Sequence, residues 1–392
     1  MRKKILATCC FSPFLWGAES VVESESIDHM VVTSSYSEKL ASRAPASISV
    51  ITNEQLQSKQ VMDITDAIRG VSGVNLSAVG FGRKGIEIRG MDADQTLVLI
   101  DGQRVGGSAD LIAHSNYELS SIPVNDIERI EIVKGPISAL YGSEALGGVI
   151  NIITKKLNKQ WRSNIGVTGS HVNSDDNYQL QGSTSGQLIE DVLSLRVSAS
   201  KQYQHDVDGQ LDPLLSDIEG NKSEHVRTNL QWTPSSAQKI DLVLSGSNEE
   251  RWRNTLDRTT YYTFMDTIER SQISISHKAQ WQWANTELRV YRSEVDRKNE
   301  RSADITVTSP SHITEDVVDG KIASSYAQQD IQIGMQWHRQ NLEDTVVNDA
   351  GQSQAIQKSL FLQDDIAISS DLSLLLGSRF DNHSSFGWES SP

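Results

Sequence analysis

The sequence predicts a small α+β domain followed by a transmembrane antiparallel β-barrel. Residues 37–157 mix helical and strand patterns, with strands closed by glycines. From about residue 160 the chain alternates with a two-residue period, and a charged, apolar leader marks it for export.

With 392 residues there is room for one or two domains and a sizeable core. Residues 1–19 read as a signal peptide: Arg2, Lys3 and Lys4 precede the apolar run 5–16, with cleavage expected near residues 17–20. That run falls short of the roughly 20 residues a membrane helix needs. Cys9 follows Thr8 and is read as an ordinary leader residue, not a lipidation site. Cys9 and Cys10 are the only cysteines, so the mature chain is expected to hold neither disulfides nor thiolate metal sites. The formal charge is -15, and removing the three leader cations takes it to about -18 if Glu19 is retained. Such acidity argues against a nucleic-acid partner, because phosphate binding needs a basic face.

Residues 20–36 contain "SIDHMVVTSS" (26–35), a strand-ready peptide with Met30 and Val32 on one side and Val31 and Thr33 on the other. Acidic spacer precedes it and a Ser-rich stretch follows, so the sequence offers it no neighbouring partner. The next elements are compact. "SISVIT" reads as a strand, and the stretch 53–71 as a helix with Asn53 as N-cap and Ile64, Ala67 and Ile68 on its apolar side. "GIEIRG", "TLVLIDG" and "IERIEIVKG" read as strands closed by Gly90, Gly102 and Gly135. A Pro-started helical turn, a Gly pair and the strand 149–154 complete the unit.

The second region, 158–392, is built of longer strands. "QISISHKAQWQW" sets Ile273, Ile275, Ala279, Trp281 and Trp283 against Gln272, Ser274, Ser276, Lys278, Gln280 and Gln282. "DIQIGMQW" sets Ile331, Ile333, Met335 and Trp337 against Gln332, Gly334 and Gln336, and "DVLSLRVSASKQY" repeats the habit with Leu193, Leu195, Val197 and Ala199. One such strand also suits a soluble sandwich. About ten of them, with Gln, Ser, Lys and Arg on the polar face and tryptophans at strand ends, suit a wet lumen and a lipid interface.

"GRKGIEIRGM" (82–91), "TLVLIDGQRV" (96–105) and "IERIEIVKGPISALYGSEALGGVINIITKK" (127–156) resemble, in order and spacing, the plug-domain signatures of the TonB-dependent outer-membrane receptors. "SLFLQDDIAISSDLSLLLGSRFDNHSSFG" (359–387) is more loosely similar to a mid-barrel segment. Within that family the likeness is to ferric-catecholate receptors of the colicin I receptor type. The resemblance implies a plug over 37–157 inside a 22-stranded barrel, of which 158–392 would supply about the first half. It also implies residence in the bacterial outer membrane, uptake of an iron-siderophore complex, and energy delivered by TonB with ExbB and ExbD. Colicin or phage binding can coexist with such transport.

Seen this way, "DHMVVTSS" resembles a TonB box, with Asp28, His29, Met30, Val31, Val32, Thr33 and Ser34 as TonB contacts. An extended segment can add as a strand to a partner's sheet edge, its main-chain bonds bearing load while a few side chains set identity. A 22-stranded barrel demands about 450 residues or more at roughly ten per strand plus turns and loops. Only about 230 follow the plug here, and "GWESSP" reads as a turn. An open half-barrel would leave unpaired edges in lipid, so the expectation is an amino-terminal portion that does not insert and transport by itself.

Candidate chemistry is sparse. "GFGRKG" (Gly80, Gly82, Gly85) fits the dinucleotide fingerprint, but the strand-like "IEIRG" follows where that motif needs a helix. Its Arg83 and Lys84 are instead candidates for a plug apex that meets ligand. A ferric catecholate is a bulky trianion with flat rings, which guanidinium can bond and stack and ammonium can neutralise. A solvated turn or a plug-to-barrel ion pair accounts for the pair equally well. Arg104 and Tyr117 are further ligand candidates. Arg89, Arg129, Glu131 and Lys134 are expected to lock the plug to the barrel wall.

The carboxylates Asp206, Asp208, Asp212, Asp217 and Glu219 share a long loop. Relatives that carry cobalamin use calcium in such loops, but the spacing fits no EF-hand, and a solvated loop is preferred. The nine histidines lack metal-ligand spacing, and no triad, Walker loop or paired carboxylates appear, so neither a metal site, a cofactor nor an enzyme is expected. Rival readings are a cobalamin or haem receptor, a passive porin or adhesin, and a soluble nucleotide-binding enzyme.

Overall fold

The computed structural model describes residues 30–31, 39–40, 46–59, 61, 64–78, 84–105, 123–172, 175–302, 310–345, 349–369 and 372–391. The signal peptide and most of the expected TonB box lie outside them. Within that box, β1 (Met30–Val31) pairs antiparallel with β2 (Lys39–Leu40), so the peptide expected to lack a partner finds one a few residues downstream.

The plug is built around a five-stranded sheet. Its members are β3 (Ser47–Thr52), β6 (Thr96–Ile100), β7 (Gln103–Arg104), β8 (Ile127–Lys134) and β9 (Gly148–Thr154), in the order β3-β8-β9-β6-β7. β6 and β9 run parallel and the other pairs antiparallel. β4 (Val74–Ala78) and β5 (Lys84–Ile88) form a separate ladder, so a strand and not a helix follows the glycine-rich segment. The expected single helix is two short ones, α1 (Asn53–Ser58) and α2 (Ile64–Ile68). Thr52, not Asn53, caps α1: its hydroxyl accepts from the Gln55 N–H while the Gln55 side chain accepts from the Thr52 N–H. Asn53 turns its amide to the Ile127 carbonyl and so ties α1 to β8. α3 (Ser138–Tyr141) is the turn after Pro136.

Two backbone positions explain why the strands close where they do. Asp101 and Gly102 both have positive φ (51° and 76°), the signature of the two-residue hairpin turn favoured by Asp-Gly, and they join β6 to β7. Gly148 has φ 154°, and a Cβ there would lie 2.2 Å from the Val133 carbonyl oxygen, so no larger residue fits this crossing of β9 over β8. Ile64, Ile68, Ile88, Ile127, Ile130, Ile132, Ile150 and Ile152 are fully buried and form one core between the sheet, the α1–α2 segment and the β4–β5 ladder.

Twelve strands, two more than expected, make a single antiparallel sheet around this core. They are β10 (Arg162–Val172), β11 (Asp175–Ile189), β12 (Leu193–Gln204), β15 (Gly220–Ser235), β16 (Gln238–Asp257), β17 (Thr260–Gln280), β18 (Asn285–Arg301), β19 (Ser311–Tyr326), β20 (Gln329–Glu343), β21 (Gln352–Ala367), β22 (Ser373–His383) and β23 (Gly387–Ser391). Each pairs with the next in sequence, and β10 and β23 are the edges. The remaining pair, β13 (Val207–Asp208) and β14 (Ser216–Ile218), forms a hairpin within the acidic loop.

Alternation follows the predicted faces. Ile273 and Ile275 are about half exposed while Ser274 and Ser276 are buried; Ile333 and Met335 are exposed while Gln332 is buried. Short connections such as 236–237 and 327–328 mark the periplasmic end, and the 205–219 connection belongs to the outer end. Strands of 20 and 21 residues in β16 and β17 exceed the 9–11 that cross a bilayer, so the wall extends beyond the lipid.

Candidate functional site

Register places an arginine and aromatic row on the lumen face of β16–β18. Arg253 pairs with Phe264, and Phe264 with Arg301, straight across three strands. The Arg253 guanidinium lies 5.1 Å from the Phe264 ring centre; that of Arg301 lies 5.8 Å from the same ring and 5.8 Å from Tyr262. Guanidinium over an aromatic face is favourable, and it keeps a flat cationic surface without neutralising it. The Arg301 Nε is buried without a hydrogen-bond partner.

Charge below this row is more nearly balanced. Glu249 is fully buried and accepts from Asn221 and Arg251, with Arg270 at 3.5 Å. Asp266 accepts from Arg297 and Asn299. Arg253 Nη1 lies 3.7 Å from Glu219. Among the described residues, five arginines and three carboxylates line this stretch of wall.

Further down the same strands the wall meets the plug. The Arg104 N–H donates to the Tyr291 hydroxyl at 3.3 Å, and Arg289 donates to the Gly102 carbonyl at 2.9 Å. A gap of about 50 Å³ lies just above, lined by Ile100, Val105 and Pro123 of the plug and by His225, Arg227 and Gln272 of the wall. Three more wall contacts hold the plug. Arg196 Nε donates to Asp126 at 2.7 Å, and the Ser198 hydroxyl donates to the same carboxylate at 2.6 Å. Arg227 donates to Asp101 at 3.0 Å, and Asp101 also accepts from the Thr154 N–H and hydroxyl. Arg379, 1 % exposed, donates to the Leu140 carbonyl. Lys155 follows β9 and donates its N–H to the Asp126 carbonyl; burial, and then the Arg196 guanidinium, push its ammonium below the usual lysine range.

The predicted residues fare differently. Arg83 and Tyr117 lie outside the described residues, as does the rest of the 79–83 segment; of Lys84 only the backbone, at the start of β5, is described. Arg104 is engaged within the plug. It is 5 % exposed, pairs with Glu144 and donates to the Tyr141 carbonyl at 2.8 Å, so it holds plug segments together where a landing site would need it open. The expected lock residues also differ from those found at the wall. Arg129 pairs with Glu128 and Glu131 along its own strand, and Lys134 sits by Arg89, where burial and then that neighbour's charge lower its pKa. Asp101 and Asp126 do the locking instead. The sequence signal that could have found them is a carboxylate just after β6 and another just before β8, opposite inward-facing arginines of the barrel.

The acidic loop uses its carboxylates locally. Asp206 accepts from Ser216 and Trp252, Asp212 from Leu214 and Tyr261, and Asp217 from the Gln210 N–H. Among the described residues no group of three or more His, Asp or Glu side chains could hold a metal ion.

Comparison with known proteins agrees with this architecture. The TonB-dependent receptor plug domain matches residues 41–149. The iron-regulated outer membrane virulence protein of Vibrio cholerae is 30% identical over 383 residues, covering 93% of this chain and 56% of its own. The ferric enterobactin receptor PirA of Pseudomonas aeruginosa is 27% identical over 445 residues, covering 96% and 58%. A crystal structure of the siderophore receptor PirA from Pseudomonas aeruginosa superposes with a TM-score of 0.72 at 25% identity, over 89% of this chain and 58% of that one. The chain thus spans a little over half the length of the relatives it matches. Residues 41–149 thus carry the plug domain of the TonB-dependent receptors, and the sheet that wraps it, apolar side outward, superposes on the barrel of such an outer-membrane receptor.

Proposed function

We propose that the protein receives a ferric catecholate siderophore from outside the cell and passes it to the periplasm. The observation that carries this reading is the Arg253–Phe264–Arg301 row on the lumen wall. A trianion with flat rings calls for cations that also stack, and guanidinium held over an aromatic ring supplies both. The name of the Pseudomonas aeruginosa relative, a ferric enterobactin receptor, points to the same ligand class. Arg83, Lys84 and Tyr117 are proposed as plug-side contacts to that ligand.

Work comes from the inner-membrane proton gradient through TonB, ExbB and ExbD, because the periplasm holds no ATP. TonB takes residues 28–34 as an added strand. Among the described residues, two pairs, Met30 with Leu40 and Val31 with Lys39, then have to separate. Pulling is passed to the plug, and the contacts at Asp101, Asp126 and Gly102 are those that must part for a path to open beside β15–β18.

Growth of a receptor-deficient strain on a ferric catecholate as sole iron source, with equilibrium binding to the purified protein, tests the reading. The double substitution Arg253→Ala/Arg301→Ala is expected to weaken binding at least about tenfold, the scale of losing two charge-assisted contacts. Unchanged catecholate binding in that variant would remove the wall from the reading. Uptake of cobalamin or haem in place of the catecholate would replace its ligand.

A further inference from the structure

The β13–β14 hairpin grips three successive residues near the outer end of β16. The Trp252 indole donates to Asp206 at 3.2 Å, and its ring lies across Gly220, where a Cβ would sit 2.1 Å from it. The Asn254 N–H donates to the Ser216 hydroxyl at 2.9 Å. Between them, Arg253 Nη1 lies 3.7 Å from the Glu219 carboxylate. Side chains alternate along β16, so Trp252 and Asn254 point away from the lumen and Arg253 points into it. Of the three holds, the one at Arg253 is the one that faces an incoming ligand.

Register explains why Glu219 stands there. Gly220 pairs with Trp252 across β15 and β16, which sets Glu219 opposite Arg253 and at the end of the Arg253–Phe264–Arg301 row. The indole over Gly220 leaves no room for a larger residue, so the hairpin enters β15 by this close passage. The Arg253 and Glu219 side chains are 14 % and 16 % exposed, so water screens their attraction weakly. Yet 3.7 Å is longer than a hydrogen bond, and the pair is held by charge more than by contact. Neighbouring carboxylates are engaged elsewhere: on the rungs below, Asp266 accepts from Arg297 and Glu249 from Arg251, and in the hairpin Asp217 accepts from Gln210.

We propose that Glu219 is the resident anion of the arginine row: it holds Arg253 until a polyanionic ligand displaces it, and its displacement frees the lumen side of the hairpin. The ligand's identity rests on the uptake reading given above. A catecholate oxygen that approaches Arg253 to about 2.8 Å makes a charge-assisted hydrogen bond that the longer ion pair does not. A neutral chelate offers the guanidinium no charge in exchange for the carboxylate, so Glu219 also makes the row select for anions. Once Glu219 leaves, the hairpin keeps its holds at Trp252, Asn254 and Tyr261, all on the outer side of the strands, and loosens where it borders the lumen.

Equilibrium binding of a trianionic iron tris-catecholate and of a neutral iron trihydroxamate, with amide exchange at Ile218, tests the proposal. Glu219→Gln is expected to bind the tris-catecholate about tenfold more tightly, since no carboxylate has to be displaced, and to bind the trihydroxamate within about twofold of the unsubstituted protein. Asp217→Asn removes the same charge from the same hairpin and is expected to leave both affinities unchanged. Tris-catecholate is expected to speed exchange at Ile218 at least about fivefold in the unsubstituted protein; in Glu219→Gln exchange is already fast and the ligand adds nothing. Tight tris-catecholate binding that Glu219→Gln leaves unchanged would overturn the proposal while the uptake reading stands. An equal gain in Asp217→Asn would also overturn it, by assigning the effect to overall charge, as would slower or unchanged exchange at Ile218 in the ligand-bound unsubstituted protein. Absence of tris-catecholate binding in every variant would overturn the uptake reading and this proposal together.

Discussion

Plug and wall obey opposite burial rules. In the plug, Ile127, Ile130, Ile132, Ile150 and Ile152 are fully buried, and β6 is buried at all five positions, so apolar residues pack inward on both sides of the sheet. In the wall, Ile273, Ile275, Ile333, Met335 and Leu360 lie open, while Glu249, Glu315, Arg379 and Ser274 are the shielded ones. One chain folds both because its two solvents differ. Water drives the plug's isoleucines together, whereas lipid accepts the wall's apolar side and leaves the polar side to a lumen filled by the plug.

A matched pair of substitutions breaks this comparison most sharply. Ile132→Lys puts an unpaired ammonium in the dry plug core, a change in the class that costs more than about 4 kcal/mol. Ile275→Lys places the same charge on the lipid face, where about 2–4 kcal/mol is expected at the bilayer midplane. Denaturant titration, with a plug-specific probe and the heat-induced gel shift of the barrel read together, separates them. Ile132→Lys should unfold the plug and spare the gel shift, and Ile275→Lys should do the reverse. Equal loss of both signals in both variants would mean that plug and wall are one cooperative unit.

The contacts between the regions come next. Removing one partner of a buried ion pair leaves the other charge uncompensated, at about 3–5 kcal/mol. Asp126→Ala strands Arg196, which is 7 % exposed, so the plug should loosen from β12. Protease cleavage within the plug should rise in that variant. Asp126→Leu/Arg196→Met should recover most of the protection, because a hydrophobic pair avoids the desolvation cost of the charges. Matching cleavage in the single and double variants would show that the contact is held by something other than this pair.

What was legible in the sequence follows the same divide. Period-two alternation needs only one strand at a time, so the wall's faces could be assigned at Ile273, Ile275, Ile333 and Met335 before any pairing was known. The plug strands could be read because Asp-Gly and the other glycine closures are local signals. Helix capping was misplaced by one residue, since Thr52 and Asn53 are both competent caps and only the packing of Asn53 on Ile127 decides between them. The locking and ligand residues were least legible. Arg104 and Arg129 look alike in sequence, and so do Arg227 and Arg253. Arg104 is placed by Glu144 and Tyr291, 40 and 187 positions away, and Arg227 by Asp101, 126 positions away, contacts that no local pattern records, whereas Arg129 pairs within its own strand.

The smallest expected effect concerns the outer hairpin, which belongs to neither packing regime. Asp212 is only partly shielded from water, yet the Leu214 N–H and the Tyr261 hydroxyl donate to it at 3.0 and 2.7 Å, and these two bonds hold its carboxyl below the usual aspartate range. A depressed folded-state pKa stabilises the fold above the unfolded value, and that contribution is lost as pH falls through the folded value. The tie between the 209–215 turn and β17 is therefore expected to hold at neutral pH and to loosen below about pH 4. Amide exchange at Leu214, corrected for its intrinsic pH dependence, should show the turn opening in acid. Asp212→Asn cannot titrate, so its exchange should already be faster at neutral pH and should lack the acid step. An acid step of the same size in Asp212→Asn would assign the opening to another carboxylate of the loop, and the contrast between this water-facing hairpin and the two buried regions would then rest on geometry without a titrating group.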